Sequence, residues 1–256
     1  MATPVRIWEP GMIYHITTRG NRKEIIFREE SDFEVYLMFL KDALIYYADL
    51  NYEIICFCLM SNHVHLMLKC NKSEPENFMR RLNSKYTRYF NIKYGYVGHL
   101  FQGRYFAEPI TNINHLLETS RYIHMNPVKA KIISMPDLYR WSSVHYYINS
   151  SKYKNKSMYN DNFINNKIKK ITINEEDISI SEVMQYFENE NDYFEYMLVN
   201  YLDSCELSWH YQFPWGKGTF PFPQGNWYDI WYSLLLYYVL KKYIMNELKI
   251  KIIDIN

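Results

Sequence analysis

Two histidines, His63 and His65, sit two residues apart in the apolar run Asn62-His63-Val64-His65-Leu66-Met67-Leu68. On a strand, alternation sends both imidazoles to one face and Val64, Leu66 and Leu68 to the other. Two imidazoles side by side on a rigid strand are half of a metal site. The plain alternative is a partly buried strand with two hydrogen-bonded histidines. A catalytic metal needs at least a third ligand and an open position. Asn126 is a candidate third ligand, an amide oxygen four residues after Tyr122. Helical positions four apart share a face, so this pair presents a phenol and an amide to one point. A phenol held beside a metal that polarises a phosphate can attack phosphorus as a nucleophile.

These side chains need a scaffold. Met12 to Thr18 alternates and is rich in strand formers. Arg19-Gly20-Asn21-Arg22 turns the chain, and its two arginines can touch phosphate. Ser31 or Asp32 caps a helix running to about Leu50, with Phe33, Leu37, Leu40, Leu44 and Tyr47 as its apolar stripe. Tyr52 to Met60 reads as a continuous apolar strand, joined through Ser61-Asn62 to a strand over His63 to Cys70, a hairpin. Cys56 and Cys58 alternate along it and read as packing rather than ligation.

Ser73-Glu74-Pro75-Glu76 opens the next helix. Phe78, Leu82, Tyr86 and Tyr89 form one stripe of it; Arg81, Lys85 and Arg88 form a basic one, either a solvated face or a DNA contact. Gly98-His99-Leu100-Phe101-Gln102-Gly103-Arg104-Tyr105 breaks periodicity. Phe101 and Tyr105 are placed to stack bases or to pin a loop to the core, and Arg104 to hold phosphate. Phe106 to Thr111 reads as an edge strand because of Pro109. Asn112 or Asn114 caps a helix expected to stop at Asn126, because Pro127 disfavours helical geometry at the residue before it. Trp141-Ser142-Ser143 reads as the start of a surface segment that closes the unit. The order strand, helix, strand, strand, helix, strand, helix is a ferredoxin-like α+β plan. Its helices are expected on one face of an antiparallel sheet, leaving the histidine face free.

The chain has 256 residues, 48% of them apolar, and a net charge of +1. Residues 1–150 carry 18 Lys and Arg against 14 Asp and Glu, and residues 151–256 carry 11 against 14. Within 69–140 the count is 12 against 5. A basic segment followed by an acidic one implies a polyanion-binding domain with a different kind of appendage. Four cysteines make no disulfide framework in a chain of this length. With nothing resembling a signal peptide at the N-terminus, a cytoplasmic protein is expected.

At the motif level the chain resembles a known family. His63-Val64-His65 is similar to the His-hydrophobic-His motif of the HUH endonucleases, and Tyr122-Ile123-His124-Met125-Asn126-Pro127-Val128-Lys129 to the tyrosine motif of their single-tyrosine transposases. Gly98 to Tyr105 and Trp141-Ser142-Ser143 resemble the REP-associated tyrosine transposases, which act on palindromic repeat elements. The resemblance covers roughly residues 8–148. It implies that Tyr122 attacks single-stranded DNA beside hairpins, keeps the 5′-phosphate as a phosphotyrosine link and frees a 3′-hydroxyl. It implies Mg²⁺ or Mn²⁺ on His63, His65 and Asn126, although relatives often carry Gln at the last position. It raises DNA contact for Arg19, Arg22, Arg81, Lys85, Arg88, Phe101, Arg104, Tyr105 and Lys129, and it admits a homodimer. Two alternatives stand beside it: a silent hairpin-binding derivative of a transposase, and a zinc hydrolase using His63 and His65.

The domain expected from this reading spans 1–149, followed by an Asn/Lys/Ser-rich linker at 150–170 and a mostly helical extension at 171–256. Ser179-x-x-Glu182 and Asp192-x-x-Glu195 resemble capping boxes, so two short helices are expected around 179–205. Residues from about 206 match nothing in the family and read as a divergent or frame-shifted end. The apolar stretch Ile230 to Leu240 is too short to span a bilayer, which takes roughly 20 residues, and no membrane partner is expected.

Overall fold

The structure, a computed structural model, describes residues 8–148 and 173–198. The expected linker at 150–170 and everything expected of the tail beyond 198 lie outside the described residues.

Four strands, β1 (Met12–Arg19), β2 (Tyr52–Met60), β3 (His63–Cys70) and β4 (Phe106–Pro109), form one antiparallel sheet in the order β2-β3-β1-β4. Ser61 and Asn62 close the β2–β3 hairpin, pairing Met60 with His63. β1 lies along β3, pairing Thr17 with His65 and Arg19 with His63. β4 is the edge beyond β1, where Pro109 withdraws no needed donor from the sheet centre.

Helix α1 (Glu30–Tyr46) begins with a capping box between Glu29 and Asp32. Helix α2 (Glu76–Tyr94) ends at Gly95, whose φ of 58° is the left-handed cap that favours glycine. The two helices bury Leu37, Leu40, Phe78, Leu82 and Tyr86 in the core, and the Asn83 amide of α2 donates to Thr18 at 3.5 Å. Thr18 lies on the sheet face opposite His63 and His65, since it pairs directly with Val64.

Helix α3 (Ile113–Lys129) is capped by the Asn112 side chain, which accepts from the His115 N–H at 2.9 Å. It corrects two expectations. First, it does not stop at Asn126 but runs through Pro127. The proline deletes one helical hydrogen bond in the last turn. The bonds Ala130 N–H to Asn126 C=O (2.9 Å) and Ile132 N–H to Pro127 C=O (3.0 Å) close the end, and Ile123, Met125, Pro127 and Val128 are buried. Packing of that turn outweighs the local preference. Second, α3 lies on the histidine face, so the helices occupy both faces of the sheet. The burial of β2 from Ile54 to Met60 follows from this two-sided cover.

Trp141-Ser142-Ser143 is not a surface segment. Ser142 and Ser143 are fully buried and hydrogen-bond along the outer edge of β2. The Phe57 N–H donates to Ser143 Oγ at 2.8 Å, the Ser143 N–H to Phe57 C=O at 3.0 Å, and the Leu59 N–H to Trp141 C=O at 2.9 Å. Residues 178–179 extend this cover, with the Ser179 N–H donating to Ile54 C=O at 2.8 Å. Unpaired edge groups are thereby satisfied within the chain. The bulge at Ile55 is held by the Tyr147 hydroxyl, which donates to the Ile55 carbonyl at 2.7 Å.

Of the extension, the structure describes a short helix at Ser181–Met184 and helical residues at 190–198. This stretch packs on the histidine-side layer. Tyr193 is fully buried, with its hydroxyl on Ser120 and on His124 Nδ1 (2.7 Å), and Lys69 pairs with Glu182 at 2.6 Å. Cys56, Cys58 and Cys70 are buried free thiols whose pKa values burial pushes up, so they pack and do not ligate. Among the described residues no helix is long and apolar enough to cross a membrane.

Candidate active site

Alternation along β3 puts His63 and His65 on one face, their ring centroids 4.9 Å apart and nearly perpendicular. Alternation along β1 adds Ile13, His15, Thr17 and Arg19 to that face. His65 is almost fully buried; its Nδ1 lies 3.0 Å from His15 Nε2 and 3.3 Å from Thr17 Oγ1. His63 Nδ1 lies 2.6 Å from the Asn62 side-chain oxygen.

Above these rings α3 places Tyr122. Its ring centroid is 5.2 Å from that of His65 and 5.9 Å from that of His15, edge-on to both. Tyr122 is 39% exposed. One turn on, Asn126 is buried, and its side chain acts on His63, raising its pKa against burial. The i, i+4 pairing holds because α3 is helical through Asn126. Lys129 Nζ lies 5.1 Å from the Tyr122 ring centroid. His124 points the other way, into the core, with Nε2 2.9 Å from Ser143 Oγ.

Burial lowers the pKa of His65 to about 2, helped by the neighbouring charges of His63, His15 and Arg19. Burial and then Arg19 lower that of His63, against the Asn126 hydrogen bond. Burial also lowers His15, against the charge of Glu108 and with that of His115. All three imidazoles are therefore neutral at pH 7 and carry a lone pair. Two neutral imidazoles, an amide oxygen and an adjacent phenol fit a divalent cation, with places left for substrate oxygen and water. Among the described residues there is no group of three His, Cys, Asp or Glu side chains arranged for a metal.

The expected DNA contacts divide. Arg19, Arg22, Arg104 and Lys129 are exposed, and Arg19 acts electrostatically on both His63 and His65. Arg22 adopts φ 52° in a turn that requires Gly20, where a Cβ would meet the Glu24 carbonyl oxygen at 2.2 Å. Arg88 is exposed on α2, on the other side of the sheet. Arg81 and Lys85 are both paired with Asp42 of α1, at 2.9 and 2.8 Å, and Arg81 also sits 3.5 Å from the Tyr46 ring centroid. Their stripe joins two helices; neither side chain reaches the histidine face. Phe101 and Tyr105 are buried, Phe101 beside Tyr86, so they pin the loop and do not offer a stacking surface.

Two residues on the histidine face escaped the sequence reading. His15 lies against both His65 and Tyr122. Phe106 is directly opposite Thr17, hence on the same face, and is 63% exposed. The alternation of β1 was a local signal for His15, but only the β1–β3 register brings it to His65.

Residues 10–126 match the family model described as transposase, IS200-like. Solved structures similar to the chain include one of a REP-associated tyrosine transposase bound to a REP hairpin. It has 19% identity and a TM-score of 0.44, covering 68% of this chain and 98% of that one. A comparison with curated proteins gives no match.

Proposed function

We propose, from the match of residues 10–126 to the IS200-like transposase family model, that the chain cleaves and rejoins single-stranded DNA beside hairpins, with Tyr122 as nucleophile. The observation that carries the reading is the position of the Tyr122 ring, 5.2 Å from His65 on the same face of the same chain. Nucleophile and ligand pair need no second subunit to meet.

In this reading the Tyr122 oxygen attacks phosphorus and forms a 5′-phosphotyrosine bond. The bond from phosphorus to the leaving 3′ oxygen breaks, and that oxygen takes up a proton to become a 3′-hydroxyl. Attack by another 3′-hydroxyl reverses the step, so the bond energy is kept and no ATP is required. A free phenol, with a pKa of about 10, is a poor nucleophile at pH 7. Lys129, with Nζ 5.1 Å from the Tyr122 ring centroid, adds a cation beside the attacking group. His63, His65 and Asn126 would hold Mg²⁺ or Mn²⁺, which when bound polarises the scissile phosphate. Arg19, Arg22 and Arg104 supply phosphate contacts along the same edge, and Phe106 an exposed ring for an unpaired base. The preference for hairpins rests on the resemblance of Gly98 to Tyr105 and Trp141 to Ser143 to the REP-associated type.

The test is incubation with hairpin-bearing single-stranded DNA and Mn²⁺, followed by denaturing electrophoresis. A covalent protein–DNA adduct that Tyr122→Phe abolishes is expected. Tight hairpin binding with no adduct would instead mark a silent DNA-binding derivative. Stoichiometric zinc with hydrolysis indifferent to Tyr122→Phe would mark a zinc hydrolase.

A further inference from the structure

We propose that His15 is a positioning residue that fixes the tautomer of His65 and forms one wall of the seat of Tyr122. The inference rests on His65 being a metal ligand.

A neutral imidazole has one N–H and one lone pair, and the partner of one nitrogen decides the state of the other. His65 Nδ1 faces His15 Nε2 at 3.0 Å and Thr17 Oγ1 at 3.3 Å. If His65 Nδ1–H donates to His15, then His65 Nε2 keeps its lone pair for a cation. The reverse arrangement would put the proton on His65 Nε2 and block ligation. The rings of His15 and His65 stack at 5.2 Å and 27°, so His15 also fixes the plane of the ligand ring. His15 is not itself a third imidazole ligand in this arrangement: with its Nε2 accepting from His65, its proton sits on Nδ1 and neither nitrogen has a free lone pair. The Tyr122 ring stands edge-on against both. One residue therefore touches ligand and nucleophile together, and strand register holds it there, opposite Met67 on β3 and Glu108 on β4.

The experiment uses the full chain and two readouts. Nitrogen-detected NMR of the metal-free protein reports which His65 nitrogen carries the proton. Titration with Mn²⁺, followed by electron paramagnetic resonance, reports affinity. The wild type should show His65 protonated at Nδ1. His15→Phe keeps a ring against Tyr122 but removes the acceptor; it should lose about 10–100-fold in Mn²⁺ affinity, the usual cost of removing a ligand's orienting partner. His15→Gln keeps an acceptor and should restore most of that loss. Wild-type His65 protonated at Nε2 overturns the proposal. So does wild-type Mn²⁺ affinity in His15→Phe while His65→Ala abolishes binding, and that result leaves the metal reading intact. If His65→Ala binds Mn²⁺ like the wild type, the metal reading fails, and the proposal with it.

Discussion

Replacing Asp32 by Asn tests how the α1–α2 layer is held. The carboxylate is fully buried and accepts hydrogen bonds from the Arg28 N–H (2.7 Å), the Glu29 N–H (3.1 Å), the Tyr89 and Tyr94 hydroxyls (2.9 and 2.7 Å) and Lys93 Nζ (2.7 Å). It thus ties the start of α1 to the end of α2. Burial alone would raise its pKa. The hydrogen bonds from Lys93, Tyr94 and the two backbone amides outweigh burial and hold the carboxyl below its ordinary value. Asparagine has the same shape but no charge, and its NH₂ would face donors. Removing one partner of a buried, hydrogen-bonded charge pair costs about 3–5 kcal/mol, and Asp32→Asn should cost that much at pH 7. The pH dependence follows from the depressed folded-state pKa. The stabilisation is complete above the unfolded-state value of about 3.8 and is lost as pH falls toward the folded-state value. The gap between wild type and variant should therefore be equal at pH 7 and pH 5 and shrink below about pH 4. Urea unfolding followed by tryptophan fluorescence measures both. A loss below about 1 kcal/mol at pH 7, the scale of one ordinary hydrogen bond, would refute the account. So would a gap that persists on acidification.

Chelation with EDTA should abolish the Tyr122 adduct while leaving hairpin binding nearly unchanged in a mobility-shift assay; loss of both together would make the cation structural. Arg19→Gln should lower the slope of log affinity against log salt by about 0.7, one single-strand phosphate contact, whereas Arg81→Gln, already paired with Asp42, should leave it unaltered. Phe106→Ala should weaken binding of the unpaired flank by about 1–3 kcal/mol, with little effect on the isolated stem. Equal weakening of both would rule out stacking. Tyr193→Phe, which strips a hydroxyl from Ser120 and His124, should destabilise the protein by about 1–3 kcal/mol. Hydrogen exchange should then rise in α3 as well as in 190–198 if that stretch folds with the domain.

Much of the scaffold was legible because its signals are local. The hairpin at Ser61-Asn62 follows from two apolar runs and a short polar join, and Asn112 as a cap from its place before an amphipathic stretch. The start of α1 was placed two or three residues late: its N-cap is Glu29, and Asp32, expected as a cap, is the N3 partner in the capping box. Pro127 misled because a local preference was set against a buried last turn whose packing the sequence does not display. The unbroken apolar run of β2 was itself evidence of two covered faces, and it is consistent with α3 lying on the histidine side. The Arg81–Lys85 stripe looked like a DNA face because i, i+4 spacing shows which side chains share a surface but not what that surface meets.

What the sequence determined by itself is the pairing of chemistry within single elements. Period two aligns His63 with His65, and period 3.6 aligns Tyr122 with Asn126, whatever the rest of the chain does. Only the tertiary structure decided that these two pairs face each other. It also brought His15 beside both, spent Arg81 and Lys85 on Asp42, and left Phe106 rather than Phe101 or Tyr105 open to solvent. Each of these outcomes depends on strand register or on which face a helix takes. Contacts between residues tens of positions apart set both, and no local periodicity encodes them.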